Sequence, residues 1–288
     1  MNMALRVAAC ALALCLTACG AVSGHGDPGL TPPSPPTAAL AAWEDFPANS
    51  HPRPIIAFGE TVEHVPQAGF SNSDRKIAWI CNKFILASSV TLSTIPAGPA
   101  MAGGSSYRSM GSAKAYSELM AARSAGGNPT DCARVQPMVI TAVRWGVAGF
   151  PTDRGTMQMS AWLFEVPEVN AYIGHSAIDP SLYWGGGIAS EGRGARISAD
   201  GRTLKVAVSN AQAGPCGADY TASAAESEMA MAVAIKRIPH ASPGESVVCD
   251  AMLRISYISV PLKAAVAGRV LVDEQGKAGM VCPETGDC

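Results

Sequence analysis

Met229-Ala230-Met231-Ala232-Val233-Ala234-Ile235 is the stretch that decides the fold class. Large apolar side chains alternate with alanine at a period of two. In an extended chain, successive side chains point to opposite faces. Met229, Met231, Val233 and Ile235 therefore share one face, and Ala230, Ala232 and Ala234 share the other. A helix would repeat its apolar positions at three and four instead. The small face leaves room for another layer, so the segment is predicted as a central strand.

The same reading extends to the neighbouring segments. Residues 139–150 and 156–166 flank Thr152-Asp153-Arg154-Gly155 and predict two strands around a turn. Residues 204–208 follow Asp200-Gly201, and 220–224 and 253–262 add further short strands. Pro261 follows Val260 and marks an edge or a strand end, because proline cannot donate to a ladder. Residues 76–81 and 84–92 are apolar runs around Asn82-Lys83 and predict a hairpin. One helix is expected over residues 113–123. Ser112 is its cap, Ala115, Tyr116, Leu119 and Met120 are its apolar stripe, and Gly126-Gly127 is its end. No internal repeat is apparent. The expectation is a mainly β (α+β) fold over residues 54–288. It would be an antiparallel β-sandwich-like domain with one packing helix, with 126–131 as its candidate subdomain boundary.

The N-terminus reads as an export signal. Arg6 precedes ten apolar residues, 7–16, and Leu16-Thr17-Ala18-Cys19-Gly20 closes the run. That run is too short to span a bilayer and has the length of a signal-peptide core. It resembles the lipobox of bacterial lipoproteins. Residues 1–18 are then a lipoprotein signal peptide, and Cys19 becomes the acylated first residue of the mature chain. An ordinary secretory signal with an incidental cysteine is the alternative, since Cys10 and Cys15 also lie in this region. Two or more acyl chains anchor stably where one does not. The expected location is the extracytoplasmic face of the cell membrane. Residues 19–53, with Thr31-Pro32-Pro33-Ser34-Pro35-Pro36-Thr37, read as the lipidated cysteine and a proline-rich tether.

Composition narrows the class. Hydrophobic residues make up 48% of the chain and charged ones 15%, which is core-forming rather than disordered. Basic residues number 21 against 23 acidic, so no basic field exists for nucleic acid. Beyond the signal, six cysteines remain: Cys81, Cys132, Cys216, Cys249, Cys282 and Cys288. An even count in an exported chain implies disulfides, of which six cysteines allow 15 connectivities. The sequential pairing Cys81–Cys132, Cys216–Cys249 and Cys282–Cys288 is the one expected. No cysteine has histidine at zinc-ligand spacing, so no metal site is assigned.

Several segments carry a family resemblance. Arg53-Pro54-Ile55-Ile56, Ala115-Tyr116-Ser117-Glu118-Leu119 and Asp153-Arg154-Gly155 with Ala161-Trp162-Leu163-Phe164 resemble parts of uncharacterised exported lipoproteins of actinobacteria. So do Pro215-Cys216-Gly217-Ala218-Asp219-Tyr220, Glu226-Ser227, Cys249 and Gly268-Arg269-Val270. The resemblance covers most of residues 53–275. Members carry a second cysteine shortly after the one matching Cys132, where this chain has Gln136 and no cysteine. No activity is established for that group, so the resemblance implies location and fold style alone.

No catalytic motif stands out. Gly104-Ser105-Ser106-Tyr107 and Gly174-His175-Ser176-Ala177 each lack the second glycine of a nucleophile elbow. His175, beside Ile173 and Ile178, reads as a strand residue. Glu226 and Glu228 read as a solvated turn, with paired carboxylates as the alternative. Tyr183-Trp184-Gly185-Gly186-Gly187 is the one loop whose aromatics suggest binding, with Tyr183 and Trp184 as contacts; a buried tryptophan anchor is the alternative. No phosphate-binding loop or other cofactor motif is present. Three readings follow. The first is a lipid-anchored envelope binding or interaction protein whose protein partner or ligand is unknown. The second is a carrier of a lipid or other apolar ligand, with methionines lining its cavity. The third is an envelope hydrolase using Glu226, Glu228 or a serine near His175.

Overall fold

The computed structural model describes residues 31–65, 69–122, 128–186, 189, 191–242, 244, 246–285 and 288. The signal peptide 1–18, Cys19, the tether residues 20–30, Gly126-Gly127 and Gly187 lie outside them.

A 3-10 helix over Thr37–Trp43 leads to β1 (Thr61–His64), α1 (Ser73–Ile80), β2 (Phe84–Leu86), β3 (Ala100–Ala102) and β4 (Ser105–Tyr107). Next come α2 (Ser112–Ala122), α3 (Pro129–Arg134), β5 (Met138–Ile140), β6 (Ala142–Thr152), β7 (Gly155–Val166) and β8 (Ala171–Ser176). The remaining strands are β9 (Ala195–Ile197), β10 (Thr203–Ser209), β11 (Ala218–Glu226), β12 (Ala230–Pro239), β13 (Ile255–Pro261), β14 (Val270–Val272), β15 (Ala278–Gly279) and β16 (Val281–Pro283). The fold is mostly β, with largely antiparallel sheets and disulfides, as expected; α1 packs beside α2 where one packing helix was expected.

From Ala230 onward the opening heptapeptide behaves as its alternation dictates, whereas Met229 precedes the strand and packs on the alanine side. β12 is internal, antiparallel to β11 and parallel to β14. Met231 and Val233 enter a core shared with Leu204, Val206, Val260 and Leu271. This core lies between the sheet β13-β10-β9-β16 and the sheet β11-β12-β14-β15. Ala230 and Ala232 face a second core with Trp43, Phe46, Val270 and Val272. The small face admits the aromatic layer.

The other half is built on the β6–β7 hairpin, registered from Ala142 opposite Glu165 to Thr152 opposite Gly155. β7 also pairs with β8 and touches β3. Both of its faces are covered. Trp162, Phe164 and Val166 pack with Ala78, Trp79, Ala115 and Leu119 of the helices. Ala161 and Leu163 pack with Ile55, Phe150 and Ile178.

Three expectations need correction. Residues 76–81 are not a hairpin strand but belong to α1 and its cap. The Asn72 side chain accepts from the Arg75 amide, and Asp74 sits at the positive helix end. Asn82 then takes φ 53° and turns the chain out. β2 pairs instead with β5, in parallel. The tether does not extend to residue 53, because Ala39, Trp43, Phe46 and Ala48 are core residues. The burial of those aromatics outweighs the extended bias of the surrounding prolines. Finally, no subdomain boundary falls at 126–131. Ala115 and Leu119 before it share one core with Val135, Met138 and Ile140 after it.

Among the described residues the disulfides are Cys81–Cys132, Cys216–Cys249 and Cys282–Cys288, the pairing expected. The first ties the end of α1 to α3 at a Cα separation of 5.5 Å. Among the described residues, no helix is long and apolar enough to cross a membrane.

Candidate functional site

Three elements converge on His175. It lies on β8 with its side chain fully buried. β1 pairs with β8 so that Thr61 opposes His175, which places Glu60 beside it. The Ser176 amide donates to the Glu60 carbonyl at 2.8 Å, fixing that junction. α2 seats Ala115 and Leu119 in the core, and this packing carries Glu118 to the same point.

The imidazole is oriented from its own strand. Nδ1 lies 2.8 Å from the Ser176 carbonyl oxygen. A carbonyl only accepts, so Nδ1 carries the proton and Nε2 presents a lone pair. Nε2 is 4.0 Å from Glu60 Oε2 and 3.9 Å from Glu118 Oε2. Neither His175 Nε2 nor Glu118 Oε2 has a hydrogen-bond partner. Lys114 Nζ sits 3.7 Å from the other oxygen, Glu118 Oε1.

The electrostatics follow from burial. Desolvation lowers the His175 pKa and keeps the ring neutral, against the pull of the Ser176 carbonyl. Desolvation, and then the charge of Glu118, raises Glu60, with Lys114 opposing. Desolvation also raises Glu118, again against Lys114. Two carboxylates and one nitrogen lone pair thus share a small volume, an arrangement that suits a proton or a cation. This is the set of described residues fit to hold a metal ion.

Spacing along the chain missed this cluster because each member comes from a different element. The one signal available was histidine itself, placed on a predicted buried strand.

The other candidates lie elsewhere. Tyr183 and Trp184 do not form an exposed binding loop. Tyr183 is buried and donates to Ser176 Oγ at 2.7 Å. Burial pushes its phenol well above the ordinary tyrosine value. Trp184 stacks on Trp43 at 6.4 Å and meets the Phe46 ring edge-on at 5.0 Å. The folded N-terminal arm is what covers it. Ser176 Oγ is engaged by Tyr183 and the Ile178 amide, not by His175. Ser105 and Ser106 lie on the outer strand β4. Glu226 accepts from the Lys263 and Ala264 amides and pairs with Arg269 at 2.9 Å, a structural role. Glu228 is exposed on the same groove. Of the methionines, Met231 belongs to the inter-sheet core and Met159 and Met138 to the other half, so they do not line a common cavity.

Searches against protein families, curated proteins and solved structures find no match to this chain.

Proposed function

We propose that the chain is an exported, lipid-anchored binding protein acting on the extracytoplasmic face of the cell membrane, related to the uncharacterised lipoproteins it resembles. Its partner is an envelope protein that offers an extended apolar segment. The observation that supports this most is an apolar run left in water. Val248, Met252, Leu253, Ile255 and Tyr257 are each more than half exposed. The run brackets Cys249 of the Cys216–Cys249 disulfide and continues into β13, the outer strand of its sheet. Exposed apolar stretches of this kind mark interaction surfaces, and an outer strand offers unpaired backbone groups to a partner's strand. Three disulfides fit an oxidising compartment.

The test has two parts. The full chain is expected in the membrane fraction, and Cys19→Ala is expected to release it. Retention of that variant in the membrane overturns the anchor. A photo-crosslinker at Ser259 is expected to trap a protein in the envelope, and the trapped band is expected to vanish in Met252→Glu/Leu253→Glu. A band unchanged by that charge, or no band at all, overturns the docking surface.

A further inference from the structure

We infer that Glu60, Glu118 and His175 form a binding site for a divalent transition-metal ion of the zinc type. The argument begins with His175 Nε2. A buried imidazole nitrogen without a hydrogen bond loses the solvation it had in water and regains nothing. Here it also faces two acidic oxygens that repel its lone pair. A cation reverses both penalties at once. Two carboxylates match a charge of plus two, so the loaded site is neutral and its burial is inexpensive.

The ligand set selects the ion. Imidazole suits zinc and its first-row neighbours, whereas calcium and magnesium take oxygen donors almost alone. One histidine and two carboxylates leave a fourth position for water or a ligand, as in zinc sites that are not purely structural. The far side of the ring is already held. Ligating histidines donate their other ring N–H to a carbonyl or carboxylate, and Nδ1 donates to the Ser176 carbonyl.

The geometry needs little adjustment. The three ligand atoms lie within 4.8 Å of one another. A tetrahedral zinc shell, with bonds of roughly 2.0–2.2 Å, places ligand atoms about 3.4 Å apart. His175 is held by its strand, while the Glu60 and Glu118 side chains reach it from two other elements and are 17% and 28% exposed. The same partial exposure gives the ion a path from solvent. Lys114 occupies Glu118 Oε1 and leaves Oε2 turned toward the histidine.

The experiment uses the full chain in detergent micelles, stripped with chelator and then dialysed against Zn2+, with Ca2+ and Mg2+ as controls. Metal per chain is measured by mass spectrometry, and Co2+ loading is followed by its visible absorption. One zinc ion per chain is expected, with a tetrahedral cobalt spectrum and no retained calcium or magnesium. Glu118→Gln and Glu60→Gln are expected to weaken zinc binding by about tenfold or more, and His175→Asn to abolish it. The glutamates are partly exposed, so their variants fold even where His175→Asn does not. Wild-type chain without zinc, or zinc unaffected by the glutamine variants, overturns the site and leaves the docking proposal standing.

Discussion

Arg53 and Asp153 form a buried ion pair, Nη2 to Oδ2 at 2.6 Å, that joins the N-terminal arm to the turn of the β6–β7 hairpin. A second contact, Nη1 to Oδ1 at 3.3 Å, makes the pair two-pronged. Arg53 Nε donates to the Gly268 carbonyl at 2.8 Å, and the guanidinium lies 4.6 Å from the Phe46 ring centre. Asp153 receives Val281 on its carbonyl and gives its amide to Ile56. Breaking one side of such a pair strands the other charge in the interior. Asp153→Ala is expected to cost about 3–5 kcal/mol in urea denaturation, and Arg53→Met/Asp153→Ala less than that single change. A single-variant loss below about 1 kcal/mol would show that water replaces the partner.

Trp184 is placed for packing. Trp184→Ala removes its contacts with Trp43 and Phe46 and is expected to cost about 3 kcal/mol, at the lower end for tryptophan truncation because the ring is only partly buried. Trp43→Ala should lower the melting temperature comparably. Full stability in both variants, followed by calorimetry, would return the loop to a binding role.

The disulfides should rank by the loop each closes. Sequence separations are 51, 33 and 6 residues. Chain-entropy estimates are roughly 4, 4 and 2 kcal/mol in that order. Paired serine replacement at Cys282 and Cys288 is expected to lower the urea midpoint least. If it lowers it most, the tail bond contributes through native packing rather than loop closure.

Glu226 makes one part of the stability pH-dependent. Burial pushes its carboxyl up, but the Lys263 and Ala264 amides and the Arg269 guanidinium hold it below the ordinary value. A depressed acid adds its stabilisation fully above the unfolded value, near 4.3, and loses it as pH falls through the lower folded value. Glu226→Gln is therefore expected to melt below wild type at pH 7, with the gap closing from about pH 4 downward. A gap that is constant across that range contradicts the assignment.

What was legible in the sequence was what periodicity and parity encode. The Met229–Ile235 alternation announced β12 and the layers on both its faces. The even cysteine count announced three bonds. The turn at Thr152-Asp153-Arg154-Gly155 announced the central hairpin. Local pattern failed where long-range burial decided. Ile77, Ala78, Trp79 and Ile80 read equally well as strand or helix, and the Asn72 cap tipped the balance. Trp43 and Phe46 were hidden by prolines on either side. Glu60, Glu118 and His175 meet only through strand pairing and helix packing, which no spacing rule carries.

The Arg53 hub also bears on how this chain folds. Arg53 meets its carbonyl partner, Gly268, 215 residues along the chain, and the strand that caps the Asp153 turn, β16, lies further along still. Until those segments are in place, Arg53 Nε lacks its carbonyl acceptor and β12 lacks its parallel neighbour β14. Contacts closed over such sequence distances form late. The fold therefore closes as a whole only when these distant strands meet, and a chain lacking β14 or β16 is expected to stay open around the Asp153 turn.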